Sequence, residues 1–330
     1  MSSLLSIKDL VVRFRTSRGP LEAVRGVNLD IPAGSSVGIV GESGSGKTVM
    51  SRAAMGLLSG SNVERSGSVV FDGHEISSLD SAQVREHFGT GMAMIFQDPM
   101  TALNPVRRIG TQISEGLRIR LGMSKKDAMK RSAELLAKVR IPDPEAVLRK
   151  FPYQLSGGMR QRVMIATAIA CNPKLLFADE PTTALDVTVQ AQILSLLADL
   201  RKDLGMSMVL VTHDLGVVAN NTGFVAVMYA GEIVEMAPTT ELFANMKMPY
   251  TEALLKSIPK IDAPTEKRLP VIEGRLPNPT DRPAGCGFAS RCSYVQDKCR
   301  QDRPELEDAG NGHLYRCWYP LGTTIARKSS

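Results

Sequence analysis

One stretch near the N-terminus constrains this chain more than any other. The apolar run Val37-Gly38-Ile39-Val40 leads into Gly41-Glu42-Ser43-Gly44-Ser45-Gly46-Lys47-Thr48, and Val49-Met50-Ser51-Arg52-Ala53-Ala54-Met55 follows. The first run reads as a buried strand and the last as a helix, so the glycines, the lysine and the hydroxyl sit at a strand-to-helix turn. Glycine lets backbone N–H groups turn inward without a Cβ in the way, and the helix start adds the positive end of its dipole. Such a loop cradles the phosphates of a nucleotide, and the octet Gly41 to Thr48 is the expected binding segment. Lys47 is expected to reach the β- and γ-phosphates. The Thr48 hydroxyl is expected on Mg²⁺, a hard cation that prefers oxygen ligands and retains several waters.

Two later segments carry matching chemistry. Lys174-Leu175-Leu176-Phe177-Ala178-Asp179-Glu180 reads as an apolar strand ending in two acids. Neighbouring side chains on a strand point to opposite sides, which lets Asp179 face Mg²⁺ while Glu180 addresses the space beyond the γ-phosphate. Glu180 is thus the candidate to orient and activate the attacking water; the plainer reading is two solvated acids capping the helix expected from Val187 to Leu200. Met208-Val209-Leu210-Val211-Thr212 reads as another buried strand with His213-Asp214 at its carboxyl end, the edge where open parallel sheets collect ligand groups. His213 is the candidate γ-phosphate contact.

A third element is Leu155-Ser156-Gly157-Gly158-Met159-Arg160-Gln161. It precedes the apolar run Val163 to Cys171, which reads as a helix, so a hydroxyl and bare amides point from a helix start toward an anion. With this segment the chain resembles the nucleotide-binding subunits of ATP-binding-cassette (ABC) transporters; kinases, GTPases and helicases share only the glycine loop. The resemblance implies an ATPase whose signature residues Ser156, Gly157 and Gly158 contact the ATP held by an opposing subunit, in a head-to-tail dimer. It makes Gln97 the loop glutamine that senses Mg²⁺ and faces the membrane partner, Asp186 part of the D-loop and His213 the switch histidine. Catalysis would rest on Glu180, His213, Gln97 and Lys47, and Mg²⁺ on Thr48, Gln97 and Asp179. Phe14, on the first strand, matches the aromatic that stacks on adenine; a strand aromatic is also ordinary core. Met159 departs from the commoner glutamine, while Gln161 and Arg162 still follow.

The implied fold is α/β: a RecA-like parallel sheet with an antiparallel β subdomain, a helical subdomain at about 100–165, and a cysteine-containing C-terminal extension. The division expected is a cassette over 1–258 and an extension over 259–330. Residues from about 4 to 95 read as short strands around the glycine loop and the turn Phe71-Asp72-Gly73-His74. From about 108 to 150 the pattern is helical, with Ser124 as an N-cap and Pro142 and Pro144 as breakers. Strand and helix then alternate to about 236, as in a layered parallel sheet. Past Pro259 the chain turns proline-rich, at Pro264, Pro270, Pro277, Pro279 and Pro283.

Four of the five cysteines, Cys286, Cys292, Cys299 and Cys317, lie in that tail with five, six and seventeen residues between them. Clustered thiols in a reducing compartment mark a metal site more often than disulfides. Four sulfurs suit zinc or an iron–sulfur cluster, and buried unligated thiols are the third reading. Relatives with such a tail resemble cluster binders, which implies [4Fe–4S]. Cys171, in an apolar helix, reads as core.

The net charge of +6 comes from scattered basic residues without interleaved aromatics. Lys125-Lys126 and Lys130-Arg131 share helical spacing with Ala128, Met129, Ala133 and Leu136, so they read as a solvated face, and no nucleic-acid partner is expected. No apolar run reaches the roughly twenty residues a bilayer span needs, and Met1 to Ser6 lacks the charged start of a signal peptide. Phe96-Gln97-Asp98-Pro99-Met100-Thr101-Ala102-Leu103-Asn104-Pro105 and the cysteine tail narrow the resemblance to the oligopeptide and dipeptide importer ATPases. It implies a peripheral subunit on the cytoplasmic face of the inner membrane. Its partners would be a sister ATPase, two transmembrane permeases and, indirectly, an extracytoplasmic solute-binding protein. Relatives in this group also move nickel chelates, opines, glutathione and oligosaccharides. The rival is a soluble ABC ATPase acting on nucleic acid or ribosomes, which usually carries paired cassettes or long coiled-coil insertions that this chain lacks.

Overall fold

The computed structural model describes residues 3–17, 19–183, 185–258, 272–280 and 282–322. Its strands are β1 (Ser3–Thr16), β2 (Gly19–Pro32), β3 (Ser36–Val40), β4 (Val63–Phe71), β5 (His74–Glu75), β6 (Met92–Ile95), β7 (Leu175–Asp179), β8 (Ser207–Thr212), β9 (Phe224–Tyr229), β10 (Glu232–Pro238), β11 (Glu307–Asp308) and β12 (Leu314–Tyr315). They form a four-stranded antiparallel sheet in the order β2-β1-β4-β5 and an eight-stranded sheet in the order β11-β12-β10-β9-β3-β8-β7-β6. In the second sheet β6, β7, β8, β3 and β9 run parallel, and β10 and β12 are antiparallel additions at one edge.

The central strands lack polar alternation because both faces of the sheet are covered. Val37 and Ile39 of β3, Leu175 and Phe177 of β7, and Val209 and Val211 of β8 pack with the antiparallel sheet and the helix Lys47–Ala54. Leu176 and Ala178 of β7, with Met208 and Leu210 of β8, point the other way. They meet the helices Ile109–Leu121, Lys125–Lys138, Gly157–Ile169 and Val187–Leu204. A third apolar group joins β9 to the tail through Tyr229, Tyr250 and Phe288. The period-two split of each strand thus places one sheet between two layers.

Several local expectations are corrected. The strands of the N-terminal region are not uniformly short, since β1 and β2 run fourteen residues each, with register shifts along their pairing. Pro144 opens a helix, Pro144–Leu148, because a proline in the first turn gives up an N–H that has no intrahelical partner. The helix after the signature starts at Gly157, inside the motif, and ends at Ile169. Ser124 is an N-cap as expected, accepting from the Asp127 amide at 3.1 Å. The expected boundary at 258/259, with Pro259, Pro264 and Pro270, lies outside the described residues. The described part of the tail packs closely on the rest, because β12 pairs with β10 and so extends the central sheet. No helix among the described residues is long and apolar enough to cross a membrane.

Candidate active site

The carboxyl ends of β3, β6, β7 and β8 converge on one edge of the sheet, and each delivers a side chain named above. The loop Gly41–Gly46 joins β3 to the helix Lys47–Ala54, with Gly46 at its N-cap in a left-handed conformation, φ 103°. A Cβ at Gly46 would stand 2.6 Å from the Ala23 carbonyl oxygen, and one at Gly41 would collide with the Met228 carbonyl. Glycine at both positions is therefore a steric requirement of the loop. Lys47 is buried and donates from Nζ to the carbonyls of Gly41 (2.7 Å) and Glu42 (3.0 Å). Burial pulls its pKa down, and Glu180, Asp179 and Glu42 oppose that pull.

Asp179, the last residue of β7, is fully buried, and its Oδ1 accepts from the Thr48 hydroxyl at 3.0 Å. Its Oδ2 makes no hydrogen bond among the described residues. Burial pushes the carboxyl pKa up. A hydroxyl beside a dry carboxylate oxygen with a free lone pair is a donor set for a hard divalent cation, so the residues fit Mg²⁺.

Glu180 follows at φ 45°. Its Oε2 accepts from Gln97 Nε2 at 2.9 Å and from the Thr183 hydroxyl at 3.0 Å, and its Oε1 lies 3.6 Å from Nδ1 of His213. The His213 imidazole holds the Glu180 carboxyl below its ordinary value, and Glu180 in turn raises His213. Asp179 meets Thr48, and Glu180, which lies past the end of β7 at a left-handed φ and so is not placed by strand alternation, meets Gln97 and His213.

Two cavities flank the loop. One, of about 360 Å³, is lined by Phe14, Ser43, Gly44, Gly46, Lys47, Thr48, Gln97 and Glu180. Phe14 is half-buried there and packs against the core. The other, of about 690 Å³, is lined by Glu42, Ser43, Glu180 and His213. Ser156, Gly157, Gly158 and Asp186 line neither cavity. Ser156 is an exposed N-cap that accepts from the Met159 amide at 3.3 Å, and Asp186 caps the helix Val187–Leu204 through the Val189 amide at 2.9 Å. The signature glycines lie against Leu185 and Val189, so signature and D-loop form one surface away from the chain's own phosphate loop.

Tail contacts with the site were not legible beforehand. Pro279 and Arg282 line the Phe14 cavity, and Arg291 pairs with Glu42. The amide of Glu42 donates to the Tyr250 hydroxyl at 2.9 Å. Nothing local in the sequence marks these contacts, which join segments more than 200 residues apart.

The four tail cysteines, all free thiols, line one small cavity with Phe288, Tyr294 and Trp318. Burial pushes the thiols of Cys286, Cys292 and Cys317 up, Cys292 to about 11 and Cys317 to about 12. No group of three or more His, Cys, Asp or Glu side chains among the described residues is arranged to hold a metal ion. As placed, the thiols are gathered but do not form a ligand shell. Cys171 is buried in the core, as expected.

Comparison with known proteins agrees with this geometry. A family model described as "ABC transporter" matches residues 24–183, and one described as "Oligopeptide/dipeptide transporter, C-terminal region" matches residues 234–299. The dipeptide transport ATP-binding protein DppD of Haemophilus influenzae is 47% identical over 97% of this chain and 96% of its own length. A probable peptide ABC transporter ATP-binding protein of Sinorhizobium fredii is 46% identical over 96% of this chain and 94% of its own. Among solved structures, the dimeric ATP-binding cassette MJ0796, in a post-hydrolysis state with ADP and Pi, has a TM-score of 0.65 at 29% identity. That match covers 71% of this chain and 98% of the cassette. Fold, site and likeness along nearly the whole length agree, and the chain belongs to the ATP-binding subunits of ABC transporters, in the oligopeptide/dipeptide importer family.

Proposed function

We propose that this chain hydrolyses ATP to drive uptake of di- or oligopeptides through partner permeases, from the cytoplasmic face of the inner membrane. The observation that carries the reading is Glu180, held by Gln97 and Thr183 and facing His213 at the edge of the cavity that also contains Lys47 and Thr48. Phosphoryl transfer asks a protein mainly for positioning and charge stabilisation. Backbone N–H groups of the glycine loop and the Lys47 ammonium bind the phosphates, and the Phe14 ring offers a face to adenine. Mg²⁺, which Thr48 and Asp179 would hold, neutralises charge on the phosphate oxygens when bound with the nucleotide. Glu180 orients the attacking water and takes its proton, while His213 contacts the γ-phosphate.

Because the signature surface stands apart from the chain's own phosphate loop, the complete site is composite. A second cassette, the sister ATPase, supplies its Ser-Gly-Gly segment to this chain's ATP and receives Ser156, Gly157 and Gly158 in return, with Asp186 at the seam. The Gln97 segment, with Phe96 and Met100 exposed beside it, faces the permeases. Cargo selection lies with the permeases and an extracytoplasmic binding protein. The cassette is taken as 1–258 and the extension as 259–330. The four cysteines are proposed as the seat of a [4Fe–4S] cluster, with zinc as the alternative, on the donor set alone; no step of hydrolysis depends on it.

Glu180→Gln tests the central assignment. ATP binding should persist, turnover should fall by at least about a hundredfold, the low end for loss of a general base, and a closed dimer with the sister ATPase should accumulate. Ordinary turnover in that variant would remove Glu180 from the catalytic role.

A further inference from the structure

Glu42 places a carboxylate inside the phosphate-binding loop, where negative charge opposes the ligand. Its side chain turns from the Phe14 cavity and meets Arg291 of the tail as a two-pronged pair, Nη1 to Oε2 at 2.6 Å and Nη2 to Oε1 at 2.8 Å. The Arg291 side chain is 4% exposed and fully engaged. It also donates to the carbonyls of Ile272 (3.0 Å) and Glu273 (2.9 Å), and its guanidinium lies 5.9 Å from the ring centres of Tyr229 and Phe288. Arg291 adjoins Cys292, and Phe288 is also a wall of the cysteine cavity. The same short segment thus borders that cavity at one end and grips the phosphate loop at the other.

We propose that Arg291 is a positioning residue for ATP binding: it cancels the Glu42 charge and holds that carboxylate away from the phosphates, making the seating of the cysteine tail a determinant of nucleotide affinity. A planar fork on a carboxylate fixes direction as well as charge, and an ammonium at this place would keep only the charge. Loss of Arg291 leaves an unpaired carboxylate beside the phosphate loop, and its repulsion grows with the charge of the nucleotide.

The test is titration of the purified full-length chain with AMP, ADP and ATP, all without magnesium, with thermal melting run in parallel. Arg291→Gln should weaken binding of magnesium-free ATP by about tenfold, the scale of a lost charge-assisted pair, with a smaller loss for ADP and the least for AMP. Adding Glu42→Gln to that variant should restore affinity, because the repelling charge is gone. A purely structural anchor would instead weaken all three nucleotides alike and show no rescue, which overturns the proposal. Arg291→Lys keeps the charge and guards against misfolding of the glutamine variant. It should retain most of the affinity for ATP, and a loss as large as that of Arg291→Gln would also overturn the charge argument. Glu180→Gln is the separate control: its failure would strike the hydrolytic reading, while leaving the binding comparison intact.

Discussion

At the scale of single residues the site depends on carboxylates with opposite surroundings. Asp179 is dry and pushed toward its neutral form, whereas Glu180, one residue on, is held ionised by His213. Glu180 also sits at a left-handed φ of 45°, a conformation that costs a non-glycine residue on the order of 1 kcal/mol and persists only where surroundings enforce it. Here the Glu180 amide donates to Val211 at 2.9 Å while the carboxylate is held by Gln97 and Thr183. The pairing with His213 has a defined pH window. Glu180 is lowered and His213 raised, so the attraction is fully present from the ordinary carboxylate range to the ordinary imidazole range. It is lost as pH rises through the elevated His213 pKa, and as pH falls through the depressed Glu180 pKa. The His213 ring proton signal, followed by NMR, should therefore titrate above an ordinary histidine, and Glu180→Gln should bring its midpoint down. An unmoved midpoint would remove the pairing.

At the scale of elements, the tail is seated by one buried polar knot. Glu235 in β10 is fully buried, and its carboxylate accepts from the amides of Lys247 (2.5 Å) and Met248 (3.2 Å). It also meets Nε2 of His313 at 2.8 Å, just before β12 pairs with β10. His313→Ala strips one partner from a buried carboxylate and should cost about 1–3 kcal/mol in denaturant unfolding. Replacing both Glu235 and His313 by leucine should cost more than that single change, because the amides of Lys247 and Met248 then lose their acceptor as well. A double variant as stable as His313→Ala, or more so, would show that the Glu235 carboxylate does not hold those amides. This contact was not legible in the sequence: an isolated glutamate in an apolar run and a histidine 78 residues away carry no shared pattern. The strands β3, β7 and β8 were legible because burial on both faces writes itself as an unbroken apolar run. The same reasoning failed at Pro144, where proline as a breaker and proline as a helix start look alike until the backbone is known.

At the scale of the molecule, what could be read and what could not divide by sequence distance. Lys47 and Thr48 open the helix after the glycine loop, and Asp179, Glu180 and His213 sit at strand ends, so this edge could be assembled from local patterns. The coupling of Glu42 to Arg291 spans 249 residues and rests on geometry alone. The cysteines fall between these cases: their clustering in one tail foretold a shared place, and all four line a single cavity. Their protonation decides the remaining prediction. With burial raising Cys292 to about 11 and Cys317 to about 12, these two thiols stay protonated at neutral pH when empty, and only a ligand that displaces their protons converts the cavity into a ligand shell. Chain purified without oxygen should carry iron and acid-labile sulfide in equal amounts, Cys292→Ser should lose both, and chelation should lower the melting temperature. Zinc without sulfide would make the tail a structural clip. Absence of both, with melting unaltered by chelator, would leave the four cysteines as packing around an apolar void beside the Arg291 segment.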